Sequence, residues 1–131
     1  MITRRRLGTF AALTVGSGLW PALAHAFTVR RYSPAAFASA QENGRAVALH
    51  FHADWCPTCR LQQHAFAGFL AAGRPKVELL IVPYDQSAAL REAHRVKSQS
   101  TVVVFRGTRE VARLAGVADP DKLRAALDAA P

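Results

Sequence analysis

The stretch VALHFHADWCPTCR, residues 47–60, decides the fold, because an apolar run leads directly into two cysteines three positions apart. Val47–Ala53 predicts a β-strand, since apolar residues dominate it and no glycine or proline interrupts it. Cys59–Ala72 predicts a helix, which is followed by the helix-ending residues Gly73 and Pro75. The cysteine pair therefore lies at a strand-to-helix junction, with its first member at the N-terminus of the helix.

This position predicts different roles for the two cysteines. Free N–H groups and the helix dipole at a helix N-terminus favour a thiolate, so we predict Cys56 as the nucleophile. Cys59 lies one helical turn further in and is less exposed, so we predict that it resolves the mixed disulfide formed by Cys56. A bridge across only two intervening residues constrains the unfolded chain little, which favours a reactive pair over a structural disulfide.

The elements around this junction predict the order βαβαβαββα. Strands are predicted at Phe27–Tyr32, Val47–Ala53, Val77–Val82, Thr101–Phe105 and Arg109–Leu114, and helices at 34–43, Cys59–Ala72, Ser87–Val96 and from Asp119-Pro120 onward. Val77–Val82 is almost wholly apolar, as expected of a strand that is buried on both faces. Arg106-Gly107-Thr108 predicts the turn of a hairpin. The order indicates an α/β fold, with a mixed central sheet of about five strands flanked by about four helices.

Composition indicates one globular domain and does not favour a nucleic-acid-binding protein. The chain has 131 residues, of which half are hydrophobic and a fifth charged, an ordinary balance for a domain with a buried core. The net charge is +8, but part of it belongs to Arg4, Arg5 and Arg6, and the remaining basic residues are scattered from Arg30 to Arg124. A nucleic-acid-binding surface would need a basic stripe with interleaved aromatic residues, and the sequence has none.

Residues 1–26 have the organisation of a secretory signal peptide. Met1–Arg6 is short and basic, Leu7–Ala24 is mostly apolar, and Ala24-His25-Ala26 is a small-x-small cleavage site. Thr3-Arg4-Arg5-Arg6-Leu7 is similar to the twin-arginine export pattern, with ordinary Sec export as the alternative. Glycines and a proline within the apolar stretch favour cleavage over a lasting membrane anchor. We therefore predict a mature domain of residues 27–131 in the periplasm or otherwise outside the cytoplasm, where disulfides persist.

Ala53-Asp54-Trp55-Cys56-Pro57-Thr58-Cys59-Arg60, preceded by an apolar strand, resembles the active-site segment of the thioredoxin superfamily. The version with Trp before and Arg after Cys-Pro-Thr-Cys is similar to periplasmic thioredoxin-like reductases. The resemblance covers nearly all of residues 27–131, including Val82-Pro83-Tyr84-Asp85, Val102–Gly107 and Gly116.

The resemblance implies a thioredoxin-like fold and a thiol–disulfide oxidoreductase that reduces disulfides of exported proteins, with the oxidising direction as the alternative. Its redox centre would be the Cys56–Cys59 pair, with no further cofactor. We assign substrate contacts to residues around this pair, namely Trp55, Pro57, Thr58, Ser100 and Thr101. Because no nicotinamide or flavin motif is present, the reducing equivalents would come from a membrane or periplasmic donor. We expect a monomer.

The sequence departs from the family at four positions near the pair. Ser100 stands where thioredoxins usually have a cis-proline. A cis bond before serine costs about 2.5–4 kcal/mol, so this bond is either trans or a strained cis. His50 stands where the family buries an acid, and we predict it as a possible proton acceptor for Cys59, the alternative being a histidine without a catalytic role. Ile81 replaces a buried lysine, and His64 replaces a helix-kinking proline.

Two other functions stay open at this stage. A binding module would use Cys56, Cys59 and either His50 or His52 as ligands for copper or zinc, since thiolate and imidazole suit both metals. The leading prediction contains no metal site. An adaptor whose thiols matter little is the third possibility, against which Trp55 and the two cysteines argue.

Overall fold

The computed structural model describes residues 26–130, which form nine elements in the predicted order. The strands are β1 (Thr28–Arg31), β2 (Ala46–His52), β3 (Glu78–Pro83), β4 (Thr101–Arg106) and β5 (Arg109–Ala115), and the helices are α1 (Pro34–Glu42), α2 (Pro57–Ala72), α3 (Ala88–Ala93) and α4 (Pro120–Asp128). The predicted α/β fold with a five-stranded mixed sheet and four helices is confirmed. The predicted signal peptide lies outside the described residues except for Ala26. Within residues 26–130, no helix is both long and apolar enough to cross a membrane.

The sheet places β2 at its centre, in the strand order β1-β3-β2-β4-β5. β3 runs parallel to both β1 and β2, whereas β4 is antiparallel to β2 and β5 is antiparallel to β4. Phe51 near the end of β2 pairs with Thr101 at the start of β4. The loop before β4 therefore lies beside the end of β2, where the cysteine segment begins.

Side-chain alternation along β2 divides the interior into two cores, as expected for a central strand. Val47, Leu49 and Phe51 face the core beneath α1 and α3, together with Phe37 and Phe105. Ala46 and Ala48 face the second core, which α2 and α4 cover with residues that include Phe66, Phe69, Leu123 and Leu127. The second face of β2 continues into His50 and His52, whose ring centroids are 5.4 Å apart. Both histidines therefore share one face of β2, as the two-residue period of a strand requires.

Helix α2 begins two residues before the predicted start at Cys59. Pro57 occupies the first turn, where its missing N–H costs nothing, and Cys56 is the N-cap. The helix ends at Ala72 as predicted, because Gly73 adopts a left-handed conformation with φ 66°. The first turn of α2 therefore fixes the position of Cys56.

Helix α3 is shorter than the predicted Ser87–Val96. It ends at Ala93, and Arg95 has a φ of 54°, so the predicted end at Val96 was wrong. The N–H of Val96 donates to the carbonyl of Arg91, and this turn brings the Val96 side chain into the core beneath α1. The guanidinium of Arg113 on β5 donates to the carbonyl of His94 at 2.7 Å. A residue distant in sequence thus supplies the hydrogen-bond donor for a backbone carbonyl at the end of α3.

Candidate active site

The two cysteines lie under the surface at the start of α2 with their sulfurs unbonded, so the structure describes the dithiol state. Cys56 is 2% exposed and Cys59 is fully buried. The Sγ of Cys56 accepts a hydrogen bond from the backbone N–H of Cys59 at 3.1 Å. This N–H is one of the donors that the first turn of a helix leaves without a backbone partner. Helix α2 therefore directs a backbone donor at the sulfur of Cys56.

The sulfur of Cys59 has a different environment. Burial, reinforced by the hydrogen bond with the Cys56 side chain, raises the pKa of Cys59 to about 11, against a smaller lowering by the backbones of Ala53 and Ser100. Its Sγ lies 4.0 Å from the carbonyl oxygen of Phe51. Cys59 therefore keeps its proton at neutral pH until the site is rearranged by reaction.

The predicted substrate-contact residues next to the pair differ in exposure. Trp55 is 57% exposed, and its indole N–H donates to the carboxylate of Asp85 at 2.8 Å. Pro57 is exposed and Thr58 is half-buried. These three residues flank Cys56 along the chain, and each has some exposed area. Their assignment to substrate contact stays a prediction.

The other two predicted contact residues, Ser100 and Thr101, are almost fully buried. Among residues 26–130 the only cis peptide bond precedes Pro75, so the bond before Ser100 is trans, and Ser100 has a φ of 58°. Its N–H donates to the carbonyl of Phe51 at 2.9 Å, and its hydroxyl donates to the carbonyl of Gln99 at 2.6 Å. The hydroxyl of Thr101 donates to the carbonyl of Ser98 at 2.8 Å. Both hydroxyls therefore donate to backbone carbonyls of the loop before β4 and stabilise that loop.

His50 is fully buried below the cysteines and is joined to Gln62 of α2. Its Nε2 is 2.8 Å from Oε1 of Gln62. The amide nitrogen of Gln62 donates to the carbonyls of Ser100 and Val117 at 2.9 and 2.8 Å. Because both amide hydrogens are used, the amide oxygen must accept, and Nε2 of His50 must carry the proton. Nδ1 of His50 therefore bears a free lone pair.

Burial, opposed in part by the Gln62 hydrogen bond, lowers the pKa of His50 to about 4. A ring nitrogen of His50 lies within 4.8 Å of the Cys59 sulfur, close to where the predicted proton acceptor is needed. The low pKa makes neutral His50 a weak base for a thiol whose pKa is about 11. Its role as proton acceptor stays a prediction.

His52 completes a buried polar cluster with His50 and Cys59. It is 9% exposed, and its Nε2 lies 3.0 Å from Oδ1 of Asp54. One ligand atom from each of His50, His52 and Cys59 lies within 4.8 Å of the others. Nδ1 of both rings is buried without a hydrogen-bond partner among the described residues. The cluster thus combines a thiol with two imidazole lone pairs.

The family is decided by a match over most of the chain, since the thioredoxin family model covers residues 28–129. This chain belongs to the thioredoxin family. A thioredoxin of Chlamydia trachomatis is 35% identical over 77 residues, which make up 59% of this chain and 74% of that protein. A thioredoxin of Alicyclobacillus acidocaldarius is 28% identical over 91 residues, which make up 70% of this chain and 87% of that protein. The crystal structure of Trxlp from Edwardsiella tarda superposes with a TM-score of 0.70 at 34% identity, covering 76% of this chain and 98% of that one.

Membership of the thioredoxin family establishes the enzyme class. Thioredoxins are thiol–disulfide oxidoreductases that use their own dithiol, and this chain is an enzyme of that type. The predicted superfamily and the thiol–disulfide oxidoreductase class are therefore confirmed.

The thioredoxin site of this chain is unusual in what lies beneath the dithiol. His50 pairs in register with Ile81 on β3, so an apolar side chain flanks it on this strand. His64 is exposed and is not part of the cluster formed by His50, His52 and Cys59. The polar partners of the site come instead from the loop before β4 and from α2.

Sequence reasoning missed three residues that organise this site: Asp54, Gln62 and Asp85. Gln62 left a usable signal, because it is the polar member of the buried stripe of α2 that contains Cys59, Phe66 and Phe69. A buried amide at helical spacing from apolar residues requires hydrogen-bond partners. Their identity depends on Ser100 and Val117, which no local pattern connects to α2.

Proposed function

We propose that this oxidoreductase reduces disulfide bonds of exported proteins in the periplasm, with Cys56 as the attacking thiol and Cys59 as the resolving thiol. The difference between the two sulfurs supports these roles. Cys56 receives a backbone N–H at 3.1 Å and keeps a small exposed area, whereas Cys59 is fully buried with its pKa raised to about 11. A thiolate is the attacking species in disulfide exchange, and it must be reachable. Of the two sulfurs, Cys56 is the one that accepts a backbone N–H and keeps some exposed area.

The proposed cycle consists of two exchanges. The thiolate of Cys56 attacks one substrate sulfur, the substrate S–S bond breaks, and the other substrate sulfur leaves as a thiolate. Cys59 then loses its proton and attacks Sγ of Cys56, which forms the Cys56–Cys59 disulfide and releases the second substrate thiolate. Two electrons pass from the protein dithiol to the substrate, whose sulfurs take up protons.

Substrate binding would use the exposed face around Cys56. With only 2% of Cys56 exposed, a substrate disulfide must lie directly against Trp55, Pro57 and Thr58 to reach its sulfur. The hydrogen bond from Trp55 to Asp85 fixes the indole at the edge of this face. We propose that this face selects disulfides in accessible or extended segments of protein substrates.

The cellular setting of the proposal rests on residues 1–26. Their basic, apolar and small-residue order supports export, and the mature domain would work as a monomer without a lasting membrane anchor. A membrane or periplasmic dithiol donor would return two electrons to the Cys56–Cys59 disulfide after each cycle.

Insulin reduction with dithiothreitol as the electron donor tests the assignment of Cys56. We expect turnover by the wild type and a fall to the uncatalysed rate in Cys56→Ser. The matched control is Ala67→Ser, which introduces the same residue at an exposed position of α2 and should turn over like the wild type. An unchanged rate in Cys56→Ser would contradict the proposal.

Trapping with Cys59→Ser tests the resolving role and identifies substrates. We expect this variant to accumulate mixed disulfides on Cys56, visible as adducts in mass spectrometry after non-reducing electrophoresis of periplasmic extract. The adducts should disappear in the Cys56→Ser, Cys59→Ser double variant. Adducts that persist there, or a single variant that forms none, would contradict the assigned roles.

A further inference from the structure

The buried cluster of His50, His52 and Cys59 contains ring nitrogens that could bind a metal and that disulfide exchange does not use. Each histidine has one nitrogen in a hydrogen bond and one, Nδ1, buried without a partner among the described residues. His50 is fully buried and His52 is 9% exposed. Burying an unpartnered polar atom is unfavourable. Both rings also bring a nitrogen within 4.8 Å of the Cys59 sulfur, so the three side chains can share one ligand.

We propose that the dithiol form of this protein binds one Cu(I) ion through His50, His52 and Cys59. One ring nitrogen of each histidine and the sulfur of Cys59 lie within 4.8 Å of one another. Metal bonds to nitrogen and sulfur of about 2.0–2.3 Å place the ligand atoms of a trigonal site roughly 3.5–4 Å apart. Side-chain shifts of about 1 Å are therefore enough to close the site around an ion.

The hydrogen bonds on the far side of both rings fit metal binding. Gln62 accepts from Nε2 of His50, and Asp54 accepts from Nε2 of His52, which leaves Nδ1 of each ring as the ligand atom. Imidazoles that bind a metal usually donate their other N–H to a carboxylate, a carbonyl or water. Asp54 and Gln62 are thus positioning residues, and the carboxylate of Asp54 is fully exposed on the solvent side.

Charge and ligand number favour Cu(I) over Zn(II). Cys59 releases its proton to solvent when the ion binds. Its thiolate and two neutral imidazoles then balance the single charge of Cu(I), so the occupied site is neutral in a buried environment where net charge is costly. Zn(II) would leave a net positive charge and usually takes four ligands, whereas the cluster supplies three. Thiolate and imidazole are both suitable ligands for copper.

Binding at Cys59 would exclude the Cys56–Cys59 disulfide, because the same sulfur cannot serve both. The oxidised protein should therefore bind no copper at this site, and the copper-loaded protein should lack its resolving thiol. Cys56 is not part of the cluster. This separates the copper proposal from the catalytic one, since loss of Cys56 abolishes the proposed reduction and leaves the three ligands in place.

Anaerobic competition with the Cu(I) chelator bicinchoninate tests the proposal on the reduced protein. We expect one Cu(I) per chain in the wild type and in Cys56→Ser, and loss of competitive binding in Cys59→Ser and His52→Ala. Asp54→Ala should weaken binding about 10–100-fold, the usual effect of removing a carboxylate that orients a ligand histidine. His64→Ala, which removes an exposed histidine of α2, is the matched control and should bind like the wild type.

X-ray absorption should report two nitrogen ligands and one sulfur ligand in the Cys56→Ser protein, and circular dichroism should confirm that each variant is folded. Copper lost in Cys56→Ser but kept in His52→Ala would identify an ordinary two-thiolate site and overturn the proposal. A reduced wild type that yields all of its copper to the chelator would also overturn it. Either result leaves the insulin and trapping experiments unaffected.

Discussion

His50 is a titratable side chain that the fold removes from water. It lies fully buried on β2, with Gln62 as its hydrogen-bond partner and the rings of His52 and Phe66 at centroid distances of 5.4 and 5.0 Å. Such a site accepts the neutral imidazole and rejects the imidazolium, because burial removes the water that would stabilise the charge. The folded protein therefore holds His50 neutral down to a pH of about 4.

We expect acid to destabilise the protein through His50. Its pKa is about 4 when folded and 6.5 when unfolded, so the unfolded chain binds more protons between these values. The contribution of His50 to the free energy of unfolding is fully present above pH 6.5 and falls as the pH is lowered. Near pH 4 this contribution, about 3 kcal/mol, is lost. Urea unfolding at pH 7 and pH 4, with a metal chelator, should show this loss in the wild type and a smaller one in His50→Asn.

The exposed His64 provides the control for this experiment. His64→Asn removes a histidine from the surface of α2 and should keep the acid loss of the wild type. If His50→Asn loses as much stability on acidification as the wild type, His50 is not the group responsible.

At the scale of elements, the ends of two helices are fixed in different ways. Helix α2 begins through local chemistry, since Cys56 accepts from the N–H of Cys59 and Pro57 suits the first turn. Helix α3 ends through a tertiary contact, in which Arg113 of β5 donates to the carbonyls of His94 and Arg95 at 2.7 and 3.4 Å. Glu110 holds the same guanidinium at 2.6 Å. The start of α2 can therefore be predicted from neighbouring residues, whereas the end of α3 cannot.

We expect Arg113→Ala to lower the free energy of unfolding by about 1 kcal/mol, the net value of a lost hydrogen bond to a carbonyl. The partly exposed ion pair with Glu110 should add little. Amide hydrogen exchange at residues 93–96 should accelerate, because the end of α3 loses its tertiary donor. Arg109→Ala on the exposed part of β5 is the matched control and should leave that exchange unchanged. Identical exchange in Arg113→Ala would contradict the capping role.

At the scale of the whole molecule, the sheet order brings the site together from four segments. β2 ends at the cysteine segment, β3 runs beside it in parallel, and the loop before β4 returns next to Phe51. Gln62 then joins α2 to that loop and to Val117 beyond β5. The position of Gly107 also depends on the assembled fold, because a Cβ there would lie 3.3 Å from Cα of Gly44.

Export is a prediction for the whole chain, and its test follows processing in a Gram-negative host. We expect a mature protein in the periplasmic fraction with Phe27 as its N-terminal residue, as the Ala24-His25-Ala26 site indicates. Replacing Arg4, Arg5 and Arg6 by lysine should block export if the twin-arginine pathway is used. Unprocessed wild type in the cytoplasm would contradict export, and normal processing of the lysine variant would indicate Sec.

The sequence by itself determined the order of elements, the position of Cys56 at the N-terminus of the active-site helix, and the shared face of His50 and His52. These features depend on short-range sterics, on capping residues and on the two-residue period of a strand. All three involve residues that are close together in the sequence. Only the tertiary structure decided the trans, left-handed geometry of Ser100, the end of α3 and the partner of His50. Each depends on a group brought from far along the chain: Phe51 for Ser100, Arg113 for α3, and Gln62 with its carbonyl partners for His50. Such contacts form only when the strand order is set, so the stretch that fixed the cysteines could not specify the polar cluster beneath them.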